Sequence, residues 1–101
     1  MRIIVFFDLP VDTLKDRREY SRFRRFLIKS GFLMMQESVY CKLAQNQSVV
    51  DSISESIHKN KPPKGIVQTL VITEKQYSKM EFIVGAGTSD VISSDSRFIE
   101  L

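Results

Sequence analysis

The sequence has no tryptophan, one cysteine, one histidine and only four glycines in 101 residues. A single cysteine cannot close an internal disulfide, so the fold is not stapled. Cys41 lies within an apolar alternation and reads as a buried thiol in a reducing compartment. As a nucleophile it would need a base, and His58 belongs to an unrelated segment. Neither zinc-ligand spacing nor a nucleophilic triad can be assembled from one cysteine and one histidine. Gly85-Ala86-Gly87 lacks the further glycine or Lys-Ser/Thr that a phosphate loop requires. No apolar run approaches the ~20 residues that span a bilayer, and no charged segment, long apolar stretch and small-residue cleavage site open the chain. The expectation is a soluble, cytoplasmic protein without a membrane contact.

What is present suits one domain with one core, at 43% apolar and 27% charged residues. The net charge of +3 is modest but unevenly placed. Residues 1–44 carry nine Lys/Arg against five Asp/Glu, and residues 45–101 carry six against seven. A basic cluster of this kind is the electrostatic footprint of a phosphate-bearing partner.

Ile3 to Phe7, rich in β-branched and aromatic residues, read as a buried strand that ends on Asp8 and is stopped by Pro10. Thr13-x-x-Asp16 is a capping-box signal for a helix that closes at Gly31. Tyr20, Phe23 and Leu27, with Phe26 at the margin, share its apolar face, and Arg18, Arg22, Arg25 and Lys29 fall almost opposite. "FLMMQESVYCKL" is strand-like, interrupted at Gln36 to Ser38 by a bulge or a turn. Ser48-x-x-Asp51 signals a second helix with Val49, Val50, Ile53 and Ile57 as its stripe, ended by "KPPKG". "IVQTLVIT" reads as a strand and "MEFIVG" as a shorter one, with "EKQYSK" an unassigned connector between them. "AGTSDVISSDS" is a linker, and "RFIEL" a terminal apolar patch that docks as an edge strand. The order predicts an α+β ferredoxin-like sandwich, two helices on one antiparallel sheet, over residues 1–84, with residues 85–101 as linker and docking strand.

Two features carry candidate chemistry. A carboxylate at a strand end is held by a rigid element, as a metal ligand or general base should be. The competing reading is that Asp8 caps the following turn. One carboxylate is also too few for Mg²⁺ unless a symmetric partner chain brings a second. Arg18, Arg22, Arg25 and Lys29 repeat one sign where a solvated face would mix signs, which favours a phosphate backbone as partner over a plain solvated face. Arg17 and Arg24 flank the stripe, and arginine suits bidentate phosphate contacts. No aromatic interleaves it, so backbone rather than base recognition is expected.

"VFFD" ending on Asp8, a basic helix with Arg17-Arg18 and a terminal Gly31, "QESVY" (Gln36, Ser38, Val39, Tyr40) and the apolar tail together resemble the CRISPR-associated Cas2 family. The resemblance covers nearly the whole chain, and the Ser-rich second helix and "TLVITEKQY" look like the type II versions. It implies a homodimer acting in spacer acquisition, bridging two dimers of the CRISPR integrase Cas1 and cradling the duplex DNA to be inserted. It also implies a Mg²⁺-dependent endonuclease acting on DNA or single-stranded RNA, with Asp8 of both protomers facing across the dimer axis as catalytic and metal-binding residue. Two such carboxylates would share a proton without metal, so activity should rise with pH. Nucleic acid would lie on Arg17, Arg18, Arg22, Arg25 and Lys29. Phe98, Ile99 and Leu101 would form the strand that docks on a neighbouring sheet and helps seat the integrase. The chain departs from the commonest pattern in having Phe7 where tyrosine often precedes the aspartate. The rival expectation is a ferredoxin-like RNA-binding or regulatory module without enzymatic activity, which would show exposed aromatics on its sheet.

Overall fold

The first strand, β1 (Arg2–Asp8), takes the centre of the sheet because it is apolar on both faces, and Ile3, Ile4, Val5 and Phe7 are all buried. The computed structural model describes residues 1–85. Helix α1 (Leu14–Lys29) follows, then β2 (Leu33–Gln36), β3 (Val39–Leu43), α2 (Gln47–Lys59), β4 (Ile66–Ile72) and a short helix, α3 (Glu74–Ser78). The sheet order is β2-β3-β1-β4, and every pairing is antiparallel. This is the predicted α+β arrangement, with β1 between β3 and β4.

Alternation along β1 sorts the two faces. Ile3, Val5 and Phe7 point into the core with Tyr40 of β3, Phe23 and Leu27 of α1 and Ile57 of α2, so both helices lie on one side of the sheet. Phe7 stacks on Tyr40 at 5.7 Å between ring centres and meets Phe23 and Tyr20 edge-on at 5.4 and 5.9 Å. The position that departs from the family pattern therefore faces the core, on the opposite side of the strand from Asp8.

The local signals of α1 are realised. Thr13 is the N-cap, its hydroxyl accepts from the Asp16 N–H, and the Asp16 carboxylate accepts from the Thr13 N–H. At the other end Gly31, at φ +93°, lets the Phe32 N–H reach the Leu27 carbonyl while its own N–H reaches Ile28, a Schellman closure that drops Phe32 into the core.

Four details differ from expectation or resolve it. The interruption at Gln36 to Ser38 is a turn at Glu37-Ser38 joining β2 to β3, with a register shift between Met34 and Gln36. Helix α2 is capped by Asn46, whose side chain accepts from the Val49 N–H, and so begins earlier than Ser48 suggested. The connector "EKQYSK" becomes α3, capped by a reciprocal Thr73–Gln76 pair. "MEFIVG" forms no strand among the described residues: it pairs with none of the four described strands, and Phe82, Ile83 and Val84 are exposed. The expected terminal strand with Phe98, Ile99 and Leu101, and all of the linker but Gly85, lie outside the described residues.

Candidate nucleic-acid interface and carboxylate site

Asp8 ends β1 opposite Ile66 of β4 and, by alternation, lies on the sheet face away from the helices. It shares that face with Phe6 and Ile4, with Val39, Cys41 and Leu43 of β3, with Leu33 of β2, and with Ile66, Gln68 and Leu70 of β4. Leu33, Leu43, Ile66 and Leu70 are each more than half exposed, so the face is apolar and uncovered over much of its area. Its aromatic complement among the described strand residues is Phe6 alone, 36% exposed. That is little for a sheet that stacks bases.

At the Arg2 end of this face, α3 folds back. The Arg2 guanidinium lies 4.0 Å from the centre of the Tyr77 ring, donates to Glu74 at 3.1 Å and reaches the Cys41 sulfur at 3.8 Å. Burial pushes the Cys41 thiol up, an effect only partly offset by its hydrogen bond with Arg2. Only 2% exposed on this face and held protonated by burial, the thiol is a poor candidate for a nucleophile.

The Asp8 carboxylate is exposed, and among the described residues it accepts no hydrogen bond and joins no ion pair. The turn-cap alternative finds no support in this geometry, because no N–H of the following residues donates to the Asp8 carboxylate among the described residues. No group of three Asp, Glu, His or Cys side chains gathers among the described residues. A single free carboxylate on a rigid strand end fits half of a site for a hard divalent cation, not a whole one.

The α2–β4 connector presses on Asp8 from the side. Gly65, at φ +98°, passes so close that a Cβ there would stand 2.9 Å from the Asp8 carbonyl oxygen and 2.7 Å from Leu9 Cδ2. Next to it Lys64 Nζ reaches Asp16 Oδ1 at 3.2 Å. Burial opposes ionisation of Asp16, but hydrogen bonds from Lys64 and Thr13 outweigh it and hold the carboxyl below the usual carboxylate range. Leu9, Pro10, Lys15, Asp16, Glu19 and the Pro62-Pro63-Lys64 run line a cleft of about 210 Å³ at this corner. The 48-residue separation of Asp16 and Lys64 left no local signal for their pairing, whereas the Pro-Pro-Lys-Gly run did mark a constrained turn.

The basic helix divides by environment. Arg18, Arg25 and Lys29, with Arg24 beside them, are exposed and form no ion pair or side-chain hydrogen bond among the described residues. Arg17 is also exposed, but its guanidinium donates to the Val11 and Asp12 carbonyls at 3.1 and 3.3 Å, tying down the approach to α1. Arg22 is committed inward: Nε meets Glu19 Oε1 at 2.8 Å, and Nη2 donates to the carbonyls of Asn60 and Lys61 at 3.2 and 3.4 Å. The Glu19-x-x-Arg22 spacing was visible in the sequence, but the carbonyls of Asn60 and Lys61, just past α2, that complete the arrangement were not.

The family described as "CRISPR associated protein Cas2" matches residues 1–80 of this chain. A Treponema denticola protein named "CRISPR-associated endoribonuclease Cas2" is 55% identical over 101 residues, the whole of both chains. One of the same name from Lacticaseibacillus rhamnosus is 48% identical over 98% of each, and one from Ligilactobacillus salivarius is 43% identical over all of both. Among solved structures, Streptococcus pyogenes Cas2 at pH 6.5 superposes with a TM-score of 0.62, covering 83% of this chain and 100% of that one at 14% identity, a likeness of fold. No helix among the described residues is long and apolar enough to cross a membrane.

Proposed function

The chain belongs to the CRISPR-associated Cas2 family, and from that premise we propose that it is the homodimeric subunit of a spacer-acquisition complex, holding duplex DNA by its backbone and bridging dimers of the integrase. The observation that carries this reading is the cluster of like charges on α1. Arg18, Arg24, Arg25 and Lys29 have no counter-charge among the described residues, and mutual repulsion on one helix is offset when an external polyanion lies across it. The dimer is supported by the apolar sheet face left exposed among the described residues and by the exposed Phe82-Ile83-Val84 segment, which pairs with none of the described strands. Burying that face against a second copy puts its hydrophobic side chains out of water and brings a second strand-end aspartate into the same interface.

A second reading, Mg²⁺-dependent phosphodiester cleavage, is favoured by Asp8 itself: a free, exposed carboxylate on a rigid strand end, in a chain whose relatives bear the name endoribonuclease. A divalent cation shared by two Asp8 carboxylates would supply Lewis-acid polarisation of a phosphodiester oxygen and a water of lowered pKa. The role of this chain's residues is then to hold the two carboxylates still and to keep the polyanion close through α1.

DNA affinity measured against salt tests the first reading. Replacing Arg18 and Arg25 by alanine should weaken binding of a blunt duplex, and the slope of log K against log salt should fall by about 1.8 for two lost phosphate contacts. An unchanged slope and affinity would remove α1 from the DNA path. Loss of cleavage in Asp8→Ala with the dimer intact is the expected outcome for the second, and persistent cleavage would place that chemistry elsewhere.

A further inference from the structure

Gly65 occupies the point where the α2–β4 connector closes on the end of β1. Two constraints meet there. Its φ of +98° belongs to the region side chains rarely adopt, and the space a Cβ would need is filled by Leu9 Cδ2 at 2.7 Å and the Asp8 carbonyl oxygen at 2.9 Å. The Leu9 methyl is the end of a side chain, but that side chain belongs to the hydrophobic core and the Leu9 Cα stands behind it at 3.2 Å. The Asp8 carbonyl is backbone at the end of a strand paired with β4 at Asp8 itself and with β3 as far as Phe6, and it cannot move without carrying Asp8 with it. Nor is the connector free to retreat. Pro62-Pro63 stiffen it, Lys64 is tied to the Asp16 carboxylate at 3.2 Å, and Asp16 is itself fixed in the capping box of α1. Ile66, the next residue, is the register partner of Asp8.

We propose that Gly65 is a positioning residue for Asp8: its bare Cα lets β4 close on the end of β1, and a side chain there displaces the Asp8 carboxylate from the place at which two copies share a divalent cation. This rests on the reading of Asp8 as a metal ligand. It goes beyond that reading in assigning the geometry of the site to a residue of the neighbouring connector that never touches the metal. The role requires no change in charge or hydrogen bonding at Asp8, only its displacement.

The chain provides its own control. Gly31 has nearly the same φ, +93°, but a Cβ there would meet only the tip of Lys42, with Nζ at 3.2 Å, and Lys42 is the register partner of Ile3, toward the other end of β1 from Asp8. Gly31→Ala therefore imposes similar backbone strain without touching the site. Mn²⁺ is titrated into the unaltered protein, Asp8→Ala, Gly65→Ala and Gly31→Ala at a temperature where all are folded. Free Mn²⁺ is followed by its paramagnetic resonance, and broadening of the Asp8 and Leu9 amide signals reports where it binds. Gly65→Ala should lower Mn²⁺ affinity by about 10-fold or more, as loss of a supporting neighbour does at metal sites, while Gly31→Ala stays within about 2-fold of the unaltered protein. Gly65→Asn, a residue more tolerant of positive φ, keeps a Cβ against the Asp8 oxygen and leaves the core unchanged, so it should bind as weakly as Gly65→Ala, and it stands in where Gly65→Ala does not fold. Unaltered affinity in Gly65→Ala, or in Gly65→Asn, would overturn the proposal. Binding in the unaltered protein no tighter than in Asp8→Ala would overturn the metal reading itself and the positioning role with it, a pattern distinct from the other two.

Discussion

Replacing Arg22 by alanine separates the two roles that arginines play on α1. The substitution removes the Glu19 pair at 2.8 Å and donors to the Asn60 and Lys61 carbonyls at the end of α2. The ion pair has side chains 41% and 32% exposed, so solvent screening leaves it about 0.3–0.5 kcal/mol. The contact with Asn60, part-buried and donated by a charged group, contributes about 1 kcal/mol, and the longer one to Lys61 less. A loss of about 1.5 kcal/mol lowers the melting temperature of a domain this size by roughly 6–12 °C. Arg25→Ala, at an exposed side chain without a partner among the described residues, should stay within about 0.5 kcal/mol of the unaltered protein. The assay is a thermal melt by circular dichroism paired with duplex binding at low temperature, where both variants are folded. Arg22→Ala should melt early and bind DNA nearly normally, and Arg25→Ala should melt normally and bind weakly. The reverse pattern, or an Arg22→Ala melt within a degree of the unaltered protein, would refute the division of the helix into inward and outward cations.

Leu70→Lys, on the uncovered sheet face, should leave the monomer fold intact and shift the protein from dimer to monomer in light scattering; a dimer of unchanged strength would place the interface elsewhere. Because the Asp16 carboxyl titrates below its unfolded value, its contribution is present above the usual carboxylate pKa and disappears as pH falls through the lowered one. Asp16→Asn should therefore flatten the acid limb of the stability profile, and a denaturant midpoint with the same pH dependence in both proteins would contradict the pairing. Cys41, 2% exposed and raised by burial, should react with iodoacetamide far more slowly in the native protein at pH 8 than after unfolding, and equal rates would mean that the Arg2–Tyr77 contact does not shield it.

The fold was legible where local chemistry dictates it. Thr13 and Asp16, Gly31 and the apolar stripe of α1 name a helix before any tertiary contact exists, and the β-branched run of β1 marks a central strand. The segment 80–84 has strand composition but pairs with none of the described strands, because composition marks a segment able to pair and not the partner it needs. Asn46 displaced Ser48 as cap because both residue types accept from an N–H two or three positions on, and only the path of the preceding chain chooses between them. At the candidate site, Asp8 was visible as an anomaly in an apolar strand. Periodicity placed Arg22 with the outward cations correctly by angle, but it could not show that the end of α2 comes within reach of its guanidinium. Gly65 and Lys64 lie more than 50 residues from Asp8 in sequence, and only closure of the sheet brings their connector against it.

Spacer acquisition in cells carrying Arg18→Ala with Arg25→Ala, scored beside the dimeric state and melting temperature of the purified variant, tests the central claim most directly. Acquisition lost in a variant that folds and dimerises normally is the result expected if the outward cations of α1 hold the DNA. Acquisition at the level of the unaltered protein would contradict it.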